Sequence, residues 1–197
     1  MEWTNRSNVT ALGAFSDVTG DNQVQLGDSR TQVYAYGSAI NFRSDARDKA
    51  DIRDTELGLE FIAALRPVDF RWDYREDYLP ARPESSDPAA LTAYRQEVER
   101  MRAARASGAD IRDGSRKRTR FHHGFVAQEV RDVLKERSID FGGYQDHAVL
   151  GGDDVLSLGY DEFIAPLVRA VQEQQAQIRA HREEVVALRV VGTGAGS

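Results

Sequence analysis

Ser44 and Lys49 are the residues of this chain whose types and spacing lend themselves most directly to covalent chemistry. A serine hydroxyl needs a base to become a nucleophile, and a lysine amine five residues later can be folded back to it by one helical turn. Such a pair needs neither histidine nor cysteine. The stretch Ser44-Asp45-Ala46-Arg47-Asp48-Lys49 also has a plain structural reading, in which Ser44 is a helix N-cap and Asp45 and Asp48 sit near the positive end of the dipole. With no cysteine in the chain, disulfide frameworks, thiolate zinc sites and cysteine nucleophiles are excluded together. His122 and His123 are adjacent, while His147 and His181 lie far off, so no metal-site spacing arises and packed or hydrogen-bonded histidines are expected. Neither a metal nor a cofactor is called for. Arg116, Lys117, Arg118 and Arg120 form a basic cluster that reads as a solvated loop or as partners for acidic groups of a neighbouring chain. No aromatic interleaving or recognition helix accompanies it, so nucleic acid is not an expected partner.

The elements that must position the serine and lysine change character at that point in the chain. Residues 1–43 are rich in Gly, Asn, Ser, Thr and Val and contain an echo, Asn8-Val9-Thr10-Ala11-Leu12-Gly13 against Asn22-Gln23-Val24-Gln25-Leu26-Gly27. A short apolar strand with a Gly/Asn corner per turn suits a β-roll or β-helix coil, and two coils alone bury no core. The segment therefore reads as the end of a longer fibrous structure, or as one completed by other chains; the plainer alternative is a loop-rich hairpin with an accidental repeat. From Asp45 to Leu65 the apolar spacing of Ile52, Leu59, Ile62 and Leu65 predicts a helix, stopped by Pro67. Val68 to Tyr74 alternates as a half-buried strand. Residues 75–120 read as an insertion, a loop, an exposed amphipathic helix through Leu91, Tyr94, Val98 and Met101, and a second loop. A short strand at Phe121–Gly124, a helix over Phe125–Leu134, and turns at Gly142-Gly143 and Gly151-Gly152 follow.

The clearest periodicity is C-terminal. Ile164, Val171, Ile178 and Val185 recur every seven residues, with Leu167, Gln174, His181 and Leu188 three further on in each heptad. This is the a/d seam of a parallel coiled coil, unless the helix is an ordinary core helix; Pro166 is tolerable only near its start. Residues 192–197 are glycine-rich and predicted to be a disordered tail. In outline the chain is predicted to be α+β, with a fibrous segment over 1–43, a compact α/β core over 44–159 that carries the 75–120 insertion, and a coiled-coil helix over 160–191. The 26 Lys+Arg against 32 Asp+Glu leave a net charge of -6, which argues against general nucleic-acid binding. No apolar run approaches the ~18 residues of a membrane span and the N-terminus has no signal-peptide core, so a soluble protein made in a cytoplasm is expected.

Four motifs in collinear order, from about Ser44 to Ile178, carry a family resemblance. They are Ser44-Asp45-Ala46-Arg47-Asp48-Lys49 with Ile52, Leu65-Arg66-Pro67-Val68-Asp69-Phe70-Arg71-Trp72, His122-His123-Gly124-Phe125-Val126-Ala127-Gln128-Glu129-Val130, and Tyr160 with Ala170-Val171-Gln172-Glu173-Gln174. Together they resemble the self-cleaving intramolecular chaperone domain of phage tail spikes and fibres, of which the endosialidase tail spikes are the best-known members; a related cassette occurs in myelin regulatory factor. Residues 1–43 are similar instead to short β-roll repeats of trimeric fibre and adhesin proteins.

The resemblance implies a homotrimer, made in a host bacterial cytoplasm, that drives folding of an upstream β-helical fibre of the same polypeptide and then releases itself, the fibre joining the virion tail. It implies that Ser44 and Lys49 are the catalytic dyad, that the scissile bond is Arg43-Ser44, that Asp45 orients the pair, and that Arg47 and His122 are accessory. The insertion is longer than the family's minimal pattern. The alternatives are a trimerisation cap of similar fold that never cuts, and the self-releasing cassette of a membrane-tethered regulator, which the lack of a membrane span disfavours. A lysine of ordinary pKa, about 10.4, is a poor base at neutral pH and must be depressed towards ~7–8. Arg47 pushes that way and Asp45, Asp48 and Asp51 push against it, so desolvation has to dominate, and a trimer interface is its expected source.

Overall fold

The computed structural model describes residues 6–37, 40–81, 83, 87–150 and 153–194. It is α+β, and the chain divides into two compact units, each assembled from separated stretches. Among the described residues no helix is long and apolar enough to cross a membrane.

The first unit gathers the described parts of Met1–Tyr36, Pro67–Gly124 and Asp146–Val155. Its strands β1 (Thr10–Leu12) and β2 (Val24–Leu26) pair in parallel with Thr10 opposite Val24 and Leu12 opposite Leu26. The two copies of the sequence echo thus pair in register. Corresponding corners match: Asn8 and Asn22 are both left-handed, with φ of 54° and 57°, and Asn8 Nδ2 donates to Asn22 Oδ1 at 2.9 Å. Asparagine tolerates this region better than most side chains. Gly13, at φ +106°, sits where a side chain is strained, and a Cβ there would also stand a tight 3.3 Å from the Gly27 Cα. His147 and Asp153 fasten the stretch between the two strands, with His147 Nδ1 2.7 Å from Thr19 Oγ1 and the Asp153 N–H donating to the Thr19 carbonyl at 2.7 Å.

Strand β3 (Val68–Phe70) runs antiparallel to β4 (His122–Gly124), Asp69 facing His123. The strand predicted through Tyr74 is shorter, since regular pairing ends at Phe70. Trp72 and Tyr74 nonetheless keep the alternation by stacking on each other, ring centroids 4.7 Å apart, and the Trp72 carbonyl accepts the Arg118 N–H at 2.7 Å. The insertion holds the helix α1 (residues Pro88–Ala106), with Val98 buried. Arg118 of the basic cluster pairs with Asp77 at 2.7 Å.

The second unit gathers Phe125–Gln145 and the described parts of Gly37–Arg66 and Leu156–Ser197. The long helix predicted from Asp45 to Leu65 is not formed. In its place stand a 3-10 turn at Ala46–Asp48, an irregular stretch in which Asp51 is left-handed, and a six-residue helix, α2 (Leu59–Ala64). Short isolated helices are marginal without tertiary packing, and only the later part of the stretch finds it: Phe61 and Leu65 are buried whereas Ile52 is exposed. Helix α3 (Ala127–Arg137) contributes Val130 and Leu134 to the same core and ends on left-handed Ser138. Strands β5 (Tyr144–Asp146) and β6 (Leu156–Leu158) form a two-stranded sheet.

Phe61, Leu65, Val130, Leu134, Phe141 and Phe163 make up the core of this unit. Phe141 meets Phe163 edge-on at 4.8 Å and Phe61 at 5.4 Å, arrangements that suit the ring quadrupoles. The last helix, α4 (Ile164–Gly194), packs against α2 and buries Ala170. Its predicted seam lies open in the single chain: Val171 is 62% and Ile178 45% exposed, and Leu167, Val185 and Leu188 are exposed as well. The helix runs to Gly194, beyond its expected end at 191; the rest of the predicted tail, residues 195–197, and the predicted Gly151-Gly152 turn lie outside the described residues.

Candidate active site

The chain enters the candidate site as an exposed, non-helical segment and turns once at Ala46–Asp48. Asp45, not Ser44, caps this turn, its Oδ1 accepting the Arg47 N–H at 2.9 Å. An aspartate at that position bonds the backbone two residues on, as in an Asx turn. Ser44 is left one residue outside the cap with its hydroxyl free of backbone duty. The Lys49 amide closes the turn on the Ala46 carbonyl at 3.2 Å and the residue then leaves in extended conformation. That reversal brings the Lys49 side chain back, and its Nζ lies 2.8 Å from Ser44 Oγ.

The contact joins a potential nucleophile to a potential base at hydrogen-bond distance. With a charged ammonium the lysine donates to the serine oxygen; with a neutral amine the same separation lets the serine hydroxyl donate to nitrogen. Both side chains are exposed to solvent in the single chain.

The neighbouring charges pair among themselves. The Asp45 carboxylate takes the Arg47 guanidinium on both oxygens, Nε to Oδ1 at 3.1 Å and Nη2 to Oδ2 at 2.6 Å. That guanidinium, followed by the Arg47 backbone N–H, holds the Asp45 carboxyl below the usual carboxylate range, and Asp45 in turn raises Arg47. Asp45 thus shapes the turn, and its oxygens are occupied by Arg47. Asp48 faces backward to Arg43, the residue before Ser44, at 3.6 Å. This hold on Arg43 was missed in the sequence, where Asp48 reads only as a helix-end charge; an acid five residues after the arginine, alongside the equally spaced Ser44 and Lys49, is the signal that could have revealed it.

His122 belongs to the other unit. There it stacks on Phe70 with centroids 5.9 Å apart and tilts against Trp72 at 6.1 Å. His123 carries the polar contact of the pair, its Nδ1 2.6 Å from Asp69 Oδ1 on the opposite strand. Among the described residues no group of three or more His, Asp or Glu side chains is placed to hold a metal ion.

No curated protein matches the chain. Residues 44–91, which begin at Ser44, include Lys49 and run through β3 into α1, match the peptidase family described as chaperone of endosialidase, a match that supports an endosialidase-type chaperone domain.

Proposed function

We propose that the chain is a homotrimeric intramolecular chaperone of a phage tail fibre or spike, which assembles and folds the fibre upstream and then severs itself from it at Arg43-Ser44. The observation that carries this reading is the 2.8 Å approach of Lys49 Nζ to Ser44 Oγ inside the family-matched segment. Ser44 stands immediately after the carbonyl it would attack, so the reaction is an acyl shift within the chain. Neutral Lys49 takes the hydroxyl proton as Ser44 Oγ bonds to the Arg43 carbonyl carbon. The C–N bond then breaks, the Ser44 nitrogen takes the proton back from Lys49, and an ester links Arg43 to Ser44 Oγ. Water hydrolyses the ester, leaving a carboxylate on Arg43 and a free amine and hydroxyl on Ser44. The reaction turns over once per chain.

Three copies of α4 supply both the assembly and the control. Its open apolar seam suits a parallel bundle, and neighbouring chains would strip water from the exposed Lys49, favouring the neutral amine that the chemistry needs. Asp45 and Arg47 hold the turn, and Asp48 holds Arg43. The test is Ser44→Ala, which removes the nucleophile and one exposed hydrogen bond. Assembled parent should run as two fragments on a denaturing gel and assembled Ser44→Ala as one; cleavage of Ser44→Ala at the same bond would overturn the assignment of the nucleophile.

A further inference from the structure

Helix α2 begins without a cap of its own. Gly58 occupies its N-cap position and offers no side chain, although the Leu59 N–H is among the donors that a helix start leaves unpaired. That donor is satisfied from far away in sequence, by Glu173 Oε2 of α4 at 2.8 Å. The other oxygen, Oε1, accepts Arg169 Nε at 2.8 Å, one turn earlier on the same helix. A Cβ at residue 58 would run into the Glu173 carboxylate, so the absence of a side chain at Gly58 is what admits it. The Leu59 N–H is also the main reason that the Glu173 carboxyl lies below the ordinary carboxylate range, with Arg169 adding to the effect.

We infer that Glu173 is a positioning residue, the N-cap of α2 delivered by α4, which straps the segment running from Lys49 to Gly58 onto the helix that assembles the trimer. Its consequence for cutting rests on the self-cleaving reading above. The physical link is short: Leu57 packs against the core and its N–H is held by Thr55 Oγ1 at 3.1 Å, Leu59 is held by Glu173, and the dyad lies just upstream. A hydroxyl or carboxylate at position 58 would do the capping locally, but only if Glu173 were gone.

This exclusion sets the experiment. Cutting is followed by mass spectrometry in trimers isolated by gel filtration, for full-length parent, Glu173→Ala, Glu173→Gln, Gly58→Ala and the double variant Gly58→Ser/Glu173→Ala. Glu173→Gln keeps an acceptor and should cut within about threefold of parent; Glu173→Ala and Gly58→Ala should each slow cutting tenfold or more, Gly58→Ala by evicting the carboxylate. The double variant should recover the parent rate to within about threefold, and should recover assembly too if Glu173→Ala alone fails to assemble. Parent-rate cutting by Glu173→Ala trimers, or no recovery in the double variant, would overturn the inference. A second readout does not depend on cutting: in the Ser44→Ala background the Leu59 amide should lose hydrogen-exchange protection with Glu173→Ala and keep it with Glu173→Gln. Equal protection in the two overturns the cap itself, whereas loss of protection without any cutting in the parent overturns only the self-cleaving reading.

Discussion

Arg43 and Asp48 face each other across the turn at 3.6 Å, while Lys49, the next residue on, reaches Ser44 at 2.8 Å. The two i to i+5 contacts interleave, so one 3-10 turn brings both pairs together.

Asp48→Asn should slow cutting several-fold without abolishing it and leave the melting temperature unchanged within error. Exposed ion pairs contribute little to stability, and the Arg43 side chain is 81% exposed. Thermal melts and a cleavage time course check this; complete loss of cutting would assign Asp48 a larger part than holding Arg43.

Lys49→Arg should assemble and remain uncut. Guanidinium keeps a donor near Ser44 Oγ but does not release its proton at any useful pH, so it cannot serve as the base. The intact mass of the assembled variant decides the matter, and two fragments would show that Lys49 is not the base.

Phe61→Ala should destabilise the second unit by roughly 3–5 kcal/mol, the usual cost of truncating a buried aromatic. Phe61 is 3% exposed and touches both Phe141 and Phe163. Urea denaturation of Phe61→Ala in the uncut Ser44→Ala background measures it; a loss below about 1 kcal/mol would contradict this core.

Glu129 gives a pH dependence of definite sign. The Arg66 guanidinium, bonded to it through Nε at 2.9 Å and also through Nη2, holds its carboxyl below the ordinary value of 4.5. A folded-state pKa below the unfolded one adds stability that is complete above the unfolded value and is lost as pH falls through it towards the folded value. Between pH 7 and pH 3 the parent should therefore lose more melting temperature than Glu129→Gln, chiefly below about pH 4.5. Parallel curves would contradict the pairing. The effect should be small, since both side chains are substantially exposed.

The mixed α+β character and the correspondence of the two echo copies were legible in the sequence because both rest on local pattern. The two copies of the Asn/Gly echo become strands paired in register, and the C-terminal heptads become one long helix. The stretch after Lys49 was not legible, because the spacing of Ile52, Leu59 and Leu65 fits a helix that only tertiary packing could stabilise, and packing reaches only its last turns. Competition between neighbouring capping side chains hid the true cap: Ser44 and Asp45 are both good caps, and local geometry chose the aspartate. The Glu173 strap was invisible for a different reason, since its partner is 114 residues away. The candidate site followed the same division, with the Ser44 and Lys49 pair visible in its spacing and the Arg43 to Asp48 contact depending on the geometry of the turn.

Assembly-gated cutting is tested most directly by following the masses of full-length chain and fragments over time, at several protein concentrations, for the parent and for Ile178→Asp/Val185→Asp. Charges at these two seam positions would be buried beside their symmetry copies, which disfavours the bundle by several kcal/mol. The parent should form trimers and release a fragment beginning at Ser44, faster at higher concentration, while the double variant should stay monomeric or misfolded and full length. A monomeric double variant that cuts at Arg43-Ser44 as fast as the parent would contradict gating by assembly.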